Sequence, residues 1–173
     1  MSDLNKSDRL DLNELPSLRV TVTHHDALSE PDRQRIYAIT HENFRAQDPH
    51  AIDNIFKERS DSVIAILRDP NGVIQGYCLA SPALEPTNMH LYLSAIPRKL
   101  QREGLISIIN REMDRALLSK GFLTTTQTVS NPRYAEIVRK EYAGSILLDV
   151  PSISGHGAKM NTFFKIKIPP EKA

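Results

Sequence analysis

Tryptophan is absent, cysteine occurs once, and aromatic residues make up only 6% of the chain. One thiol, Cys78, excludes an internal disulfide and any zinc cluster built on cysteine. Set within the apolar stretch Gly76-Tyr77-Cys78-Leu79-Ala80, it reads as a small core residue rather than a nucleophile. No apolar run approaches the length that crosses a bilayer, and the N-terminus lacks the apolar core of a secretory signal, so no membrane partner and a cytoplasmic location are expected. An excess of charge of either sign is missing too. With 22 basic and 21 acidic residues the formal charge is +1, which argues against a dedicated nucleic-acid binder. Among six histidines, His24 and His25 are an adjacent pair without an accompanying ligand pattern, and no metal is expected.

What is present suits one domain of ordinary globular composition, with 40% hydrophobic and 25% charged residues in 173. Residues 1–16 are polar and without a period, so a flexible arm is expected ahead of a single domain over 17–170. There is no internal repeat, low-complexity tract or linker.

Alternation at Leu18, Val20 and Val22 predicts a first strand over 18–23. Ser29 and Pro31 then suit the cap and first turn of a helix reaching about Phe44, with Ile36, Ile39, Thr40 and Asn43 inward. Pro49 opens a second helix, ending near Arg59. The runs 62–67 and 73–80, joined by Asp69-Pro70-Asn71-Gly72, predict a hairpin. A loop over 82–87 leads to a strand over 89–96 and a basic loop over 97–103. From Gly104 to Lys120 the stripe Leu105, Ile109, Met113 and Leu117, widened by Ile106 and Ala116, predicts one helix, with Asn110, Arg111, Asp114 and Arg115 on its other side. Further strands are expected over 123–129, 146–150 and 162–168, and a helix from Asn131-Pro132 to about Tyr142. In the last strand Phe164, Ile166 and Ile168 alternate against Lys165 and Lys167, which predicts a one-sided strand with Phe164, Ile166 and Ile168 on its apolar side.

A strand, a basic loop and a helix N-terminus in succession make an anion cradle, since the first N–H groups of a helix lack internal partners and carry a partial positive charge. Here Gln101-Arg102-Glu103-Gly104-Leu105-Ile106 resembles the pyrophosphate loop of the GNAT superfamily of acyl-CoA N-acyltransferases, written Q/R-x-x-G-x-G/A. Ile106 stands where that family prefers Gly or Ala. The element order β-α-α-β-β-β-α-β-α-β-β resembles the same family over about 18–168.

The resemblance implies an α/β (α+β) domain with a mixed, largely antiparallel sheet and helices on both faces. It implies acetyl-CoA, or another acyl-CoA, as cofactor. Pantetheine would pair with the main chain of Leu93, Ser94, Ala95 and Ile96, and the pyrophosphate would meet Arg98, Lys99, Gln101, Arg102, Glu103, Gly104, Leu105 and Ile106. Asn131 matches the family's asparagine, but Val138 occupies the place, seven residues on, where the family often carries a tyrosine. Tyr134, nearer the helix start than Tyr142, is then the candidate acid for the leaving thiolate, and His90 or Glu85 the candidate base. The implied activity is transfer of an acetyl group to a primary amine, on a small molecule or a peptide, by direct attack. The loop 152–160, with His156 and Lys159, would help shape the acceptor site, and a homodimer is compatible with the resemblance. The alternative is a non-catalytic module of the same fold that binds or regulates. A third class, nucleic-acid binding, would rest on the short basic cluster Arg98, Lys99, Arg102, Arg111 and Arg115.

Overall fold

The turn at Asp69 shows how local chemistry sets the sheet. Asp69 Oδ1 accepts from the main-chain N–H groups of Asn71 and Val73, and Gly72 takes φ +82°, a conformation glycine adopts without strain. The strands on either side, β2 (Val63–Arg68) and β3 (Ile74–Pro82), pair antiparallel as the sequence predicts. The computed structural model describes residues 19–43, 51–83, 87–101, 104–153 and 157–166. The predicted N-terminal arm, Glu85, Arg102, Glu103 and His156 lie outside them.

Around this hairpin the described chain adds β1 (Arg19–His24), α1 (Glu30–Asn43), α2 (Ala51–Glu58), β4 (Asn88–Ala95), α3 (Leu105–Ser119), β5 (Thr124–Val129), α4 (Pro132–Glu141), β6 (Ile146–Ile153) and β7 (Lys159–Lys165). One seven-stranded sheet runs β1-β2-β3-β4-β5-β7-β6, antiparallel except where β4 meets β5. Among the described residues no helix is long and apolar enough to cross a membrane.

Helices cover both faces. Ile36 and Ile39 of α1 and Ile52 and Phe56 of α2 pack on Ile64, Ile66, Tyr77 and Leu79. On the opposite face Leu105, Ile109, Met113 and Leu117 of α3 pack on Ala65, Leu67, Cys78, Met89 and Leu91. Gly76 permits that approach, because a Cβ there would stand 2.6 Å from Ile96 and 2.7 Å from Ile109. Ala135, Val138 and Tyr142 close a smaller cluster with Val129 and Phe163.

Three expectations are overturned. The last strand is inverted: Phe163 and Lys165 are fully buried while Ile166 is 41% exposed. Since side chains alternate along a strand, a lysine held inward carries its neighbours outward. Helix α3 is also buried on its supposedly polar side, with Asn110 2% and Asp114 0% exposed. Both have one cause, an ion pair between Lys165 Nζ and Asp114 Oδ2 at 2.6 Å inside the domain. The loop expected over 152–160 is shorter than predicted, because Ser152 pairs with Met160 and Ile153 with Lys159, placing Lys159 on β7.

Candidate active site

Strands β4 and β5 are paired only from Asn88 with Thr124 to Leu91 with Gln127. Beyond that point β5 continues along β7 as far as Val129 with Asn161, and β4 continues along β3 as far as Ala95 with Tyr77. The sheet therefore splits, and the edge of β4 over Tyr92 to Ala95 faces no strand on its β5 side. A bulge marks the departure, since Leu79 opposes Leu93 and Ala80 opposes Leu91, leaving Tyr92 as the extra residue. Leu93 and Ala95 pack against the α1 cluster and Ile96 against the α3 cluster, so their side chains are core.

The loop after β4 is docked on α1. Arg98 N–H donates to Glu42 Oε1 at 2.6 Å, and Gln101 Nε2 donates to Asn43 Oδ1 at 2.8 Å. Leu100 N–H and Gln101 N–H are taken by Pro97 and Arg98 carbonyls, and the Ile96 carbonyl accepts from Asn43. These main-chain groups are not free for an anion, contrary to the broad loop cradle the sequence suggests. Among the described residues, the start of α3 is open. Gly104 sits there at φ +72°, no side chain caps the helix, and a Cβ on Gly104 would meet nothing within 4 Å. Ile106 is partly buried against the α3 core cluster. The open space, uncapped donors and helix dipole fit a phosphate-bearing group.

Below the split, on the α3 face, a chain of side chains meets at one phenol. Ser94 Oγ donates to Asn110 Oδ1 at 2.8 Å, and Asn110 Nδ2 donates to the Tyr134 oxygen at 2.7 Å. Gln127 Nε2 approaches the same oxygen at 3.4 Å, while Gln127 Oε1 accepts from Lys165 Nζ at 3.2 Å. An ammonium only donates, so Lys165 fixes which end of the Gln127 amide faces Tyr134. With two N–H groups on its oxygen, the Tyr134 hydroxyl keeps its hydrogen for donation, and none of the described residues accepts it. Burial pushes this phenol up to about 12, against the opposing pull of Gln127 and Asn110.

Tyr142 cannot share that role. Its hydroxyl donates to Asp114 Oδ2 at 2.5 Å, and burial followed by the Asp114 charge raises its pKa. Thr125 Oγ1 completes the shell of Asp114 at 2.7 Å. Asn131 is the N-cap of α4, its Oδ1 accepting from Arg133 and Tyr134 N–H, so its oxygen is spent on holding Tyr134 at the helix start.

His90 lies on the other face, in a row in which Ser81, His90, Thr126 and Phe164 oppose one another across four strands. Its Nδ1 is 2.8 Å from Thr126 Oγ1, which leaves Nε2 for a substrate. Burial chiefly, then the charges of Arg59 and Lys165, lower its pKa, so the ring is neutral at neutral pH. Arg59 donates to Ser81 Oγ at 2.8 Å and stands 5.2 Å over the Tyr92 ring. Cys78 is buried, with its thiol pushed up to about 12 by desolvation, unsuited to nucleophilic work. Of the basic cluster, Arg111 pairs with Glu141 at 3.7 Å and Arg115 with Glu112 at 2.5 Å.

No protein-family profile matches the chain. No curated sequence relative matches it either. Solved structures do. A GCN5-related N-acetyltransferase from Kribbella flavida superimposes with a TM-score of 0.65 at 12% identity, covering 88% of this chain and 99% of that one. A ribosomal-protein alanine N-acetyltransferase from Escherichia coli gives 0.62 at 17% identity, covering 90% and 99%. A spermidine N-acetyltransferase variant from Vibrio cholerae gives 0.65 at 10%, covering 87% and 94%. The architecture is the GNAT fold.

Proposed function

We propose that this chain is an N-acyltransferase that moves an acetyl group from acetyl-CoA to a primary amine by direct attack. The observation that carries this reading is the split between β4 and β5 with the Tyr134 hydroxyl held beneath it. A thioester laid in the split would have the unpaired main chain of β4 beside it and the uncapped start of α3 beyond it. When bound, acetyl-CoA supplies the reactive carbonyl, and the protein supplies position and proton transfer.

In this reading the neutral ring of His90 takes a proton from the incoming ammonium, directly or through water. Tyr134, on the opposite face, donates its hydroxyl hydrogen to the sulfur as the carbon–sulfur bond breaks. The Leu105 and Ile106 N–H groups hold the pyrophosphate, with Arg98 and Lys99 adding charge. The acceptor, a small molecule or a peptide bearing an amine, enters from the His90 side, where Arg59 and Thr126 lie. A screen of amines, polyamines, amino acids and peptides for CoA release tests this. Tyr134→Phe should lower kcat about a hundredfold or more, a loss within the usual contribution of an acid, and Tyr142→Phe less. The reverse ranking would overturn the choice of acid.

A second reading, a non-catalytic module of the same fold, is favoured by the Ser94–Asn110–Tyr134 bridge, which spans the split from below. It predicts no turnover with any amine.

A further inference from the structure

The turn after β1 gathers His24, His25 and Asp26 at a place the proposed chemistry does not use. Both imidazoles reach one acceptor: His24 Nε2 is 2.8 Å and His25 Nε2 3.1 Å from the Ser60 carbonyl oxygen. A carbonyl cannot donate, so both Nε2 atoms carry hydrogen, and in the neutral rings both Nδ1 atoms are acceptors, that of His25 without a donor and that of His24 holding a cap hydrogen bond that an ion would displace. The Asp26 main-chain N–H donates to His24 Nδ1 at 3.2 Å, in agreement. Against these lone pairs stands the Asp26 carboxylate, with Oδ2 3.4 Å from His24 Nδ1 and Oδ1 3.3 Å from His25 Nδ1. One ligand atom from each residue lies within 4.8 Å of the others.

Three electron-rich groups converging in this way need a positive charge among them. The need is sharpest at His25, which is 8% exposed and whose Nδ1 has no hydrogen-bond partner among the described residues. The ring cannot turn away easily, because it stacks on Phe56 with centroids 4.4 Å apart and planes 9° from parallel.

A shared proton and a metal cation ask for different geometry. A charge-assisted hydrogen bond would draw nitrogen and oxygen to about 2.7–2.9 Å along the lone-pair axis. Neither Asp26 oxygen makes such a bond to an Nδ1 atom; each stands farther off, at 3.3 and 3.4 Å. A tetrahedral ion with bonds of about 2.0–2.1 Å places its ligand atoms roughly 3.3–3.4 Å apart and off one another's lone-pair axes. The two nitrogen–oxygen spacings found here, each to its own Asp26 oxygen, fall in that range.

We propose that His24 Nδ1, His25 Nδ1 and the Asp26 carboxylate form a site for a divalent first-row ion of the zinc type. Two imidazoles and one carboxylate suit such an ion, and calcium or magnesium would want more oxygen. The Ser60 carbonyl serves as the outer partner that fixes both rings. The sequence shows His24-His25 as an isolated pair; the third donor becomes visible only because the 3-10 turn over His25–Ala27 folds Asp26 back on both rings.

The test is calorimetric titration of the full, chelator-treated chain with zinc chloride at neutral pH. One equivalent should bind, and Asp26→Asn and His25→Gln should each weaken binding by about tenfold or more. His41→Gln, on an exposed residue of α1, should change nothing. Asp26 is 74% exposed, so Asp26→Asn should keep the fold; the zinc-dependent rise in thermal midpoint should be present in the wild type and absent in that variant. Absence of stoichiometric zinc binding, binding undiminished in both site variants, or calcium binding as tight as zinc would each overturn the proposal.

Discussion

Through β2, β3 and β4 the inward positions hold Ile64, Ile66, Tyr77, Leu79 and Leu91, whereas in β5 and β7 the buried positions include Thr125, Gln127 and Lys165. The first half is held by the non-directional burial of apolar surface between two helical layers. The second is held by a directed network, in which Lys165 meets Asp114 and Gln127, and Asp114 meets Tyr142 and Thr125. The two halves meet at the place where β4 and β5 part. Apolar cores tolerate rearrangement as long as volume is kept, but a buried ionic network tolerates only one arrangement of donors and acceptors. That network reaches Tyr134 through Gln127, so the half that is costly to bury is also the half that orients the proposed acid.

Breaking the network should have the largest effect on stability. Lys165→Met leaves the Asp114 carboxylate buried without its cation, and should cost about 3–5 kcal/mol in urea unfolding. Adding Asp114→Leu should recover most of that loss, since a buried pair replaced by apolar groups of similar volume is often neutral. A cost below about 1 kcal/mol for the single variant, the scale of an exposed pair, would contradict the buried position of Lys165.

In the apolar half the corresponding weak point is space. Gly76→Ala pushes a methyl group against Ile96 and Ile109 and should cost about 1–3 kcal/mol, with no charge substitution able to recover it. At the boundary, Asn131→Ala removes the α4 cap and should cost about 1 kcal/mol, measured by the same unfolding curves.

The smallest effect is electrostatic. Because the folded pKa of His90 is lowered, its neutral form is favoured in the native state. The stability this contributes is complete above the ordinary value of about 6.5 and is lost as pH falls through the lower, folded value. The His90 ring resonances should therefore titrate below the ordinary histidine value of about 6.5, and His90→Gln should flatten stability against pH in that acid window. Titration of His90 above about 6.5 would contradict the desolvated position.

This division also explains what could be read from the sequence. Period-two alternation and four-residue stripes record apolar burial, so β2, β3, α1 and the inner stripe of α3 were legible as such. The Asp69 turn and the Asn131 cap were legible because single residue types carry their mechanism. Lys165 was not, since a lysine between two aromatics and an isoleucine looks like the solvated side of a strand, and its partner Asp114 lies 51 positions away. Asn110 and Asp114 lie one helical turn apart, a signal that could have suggested a second buried face, though spacing alone cannot separate a buried polar row from an exposed one. Tyr134 is legible only as a candidate, through its place near the start of α4. Its neighbours Asn110 and Gln127 were missed, because contacts across three elements leave no local pattern.

The measurement that bears most directly on the proposed site is amide chemical-shift mapping as acetyl-CoA is titrated into the labelled chain. Saturating shifts should gather on Tyr92 to Ala95, on Gly104 to Ile106, and at Thr128, Val129 and Tyr134, which are the two sides of the split and the start of α3. Shifts confined to other surfaces, or none at millimolar acetyl-CoA, would contradict it.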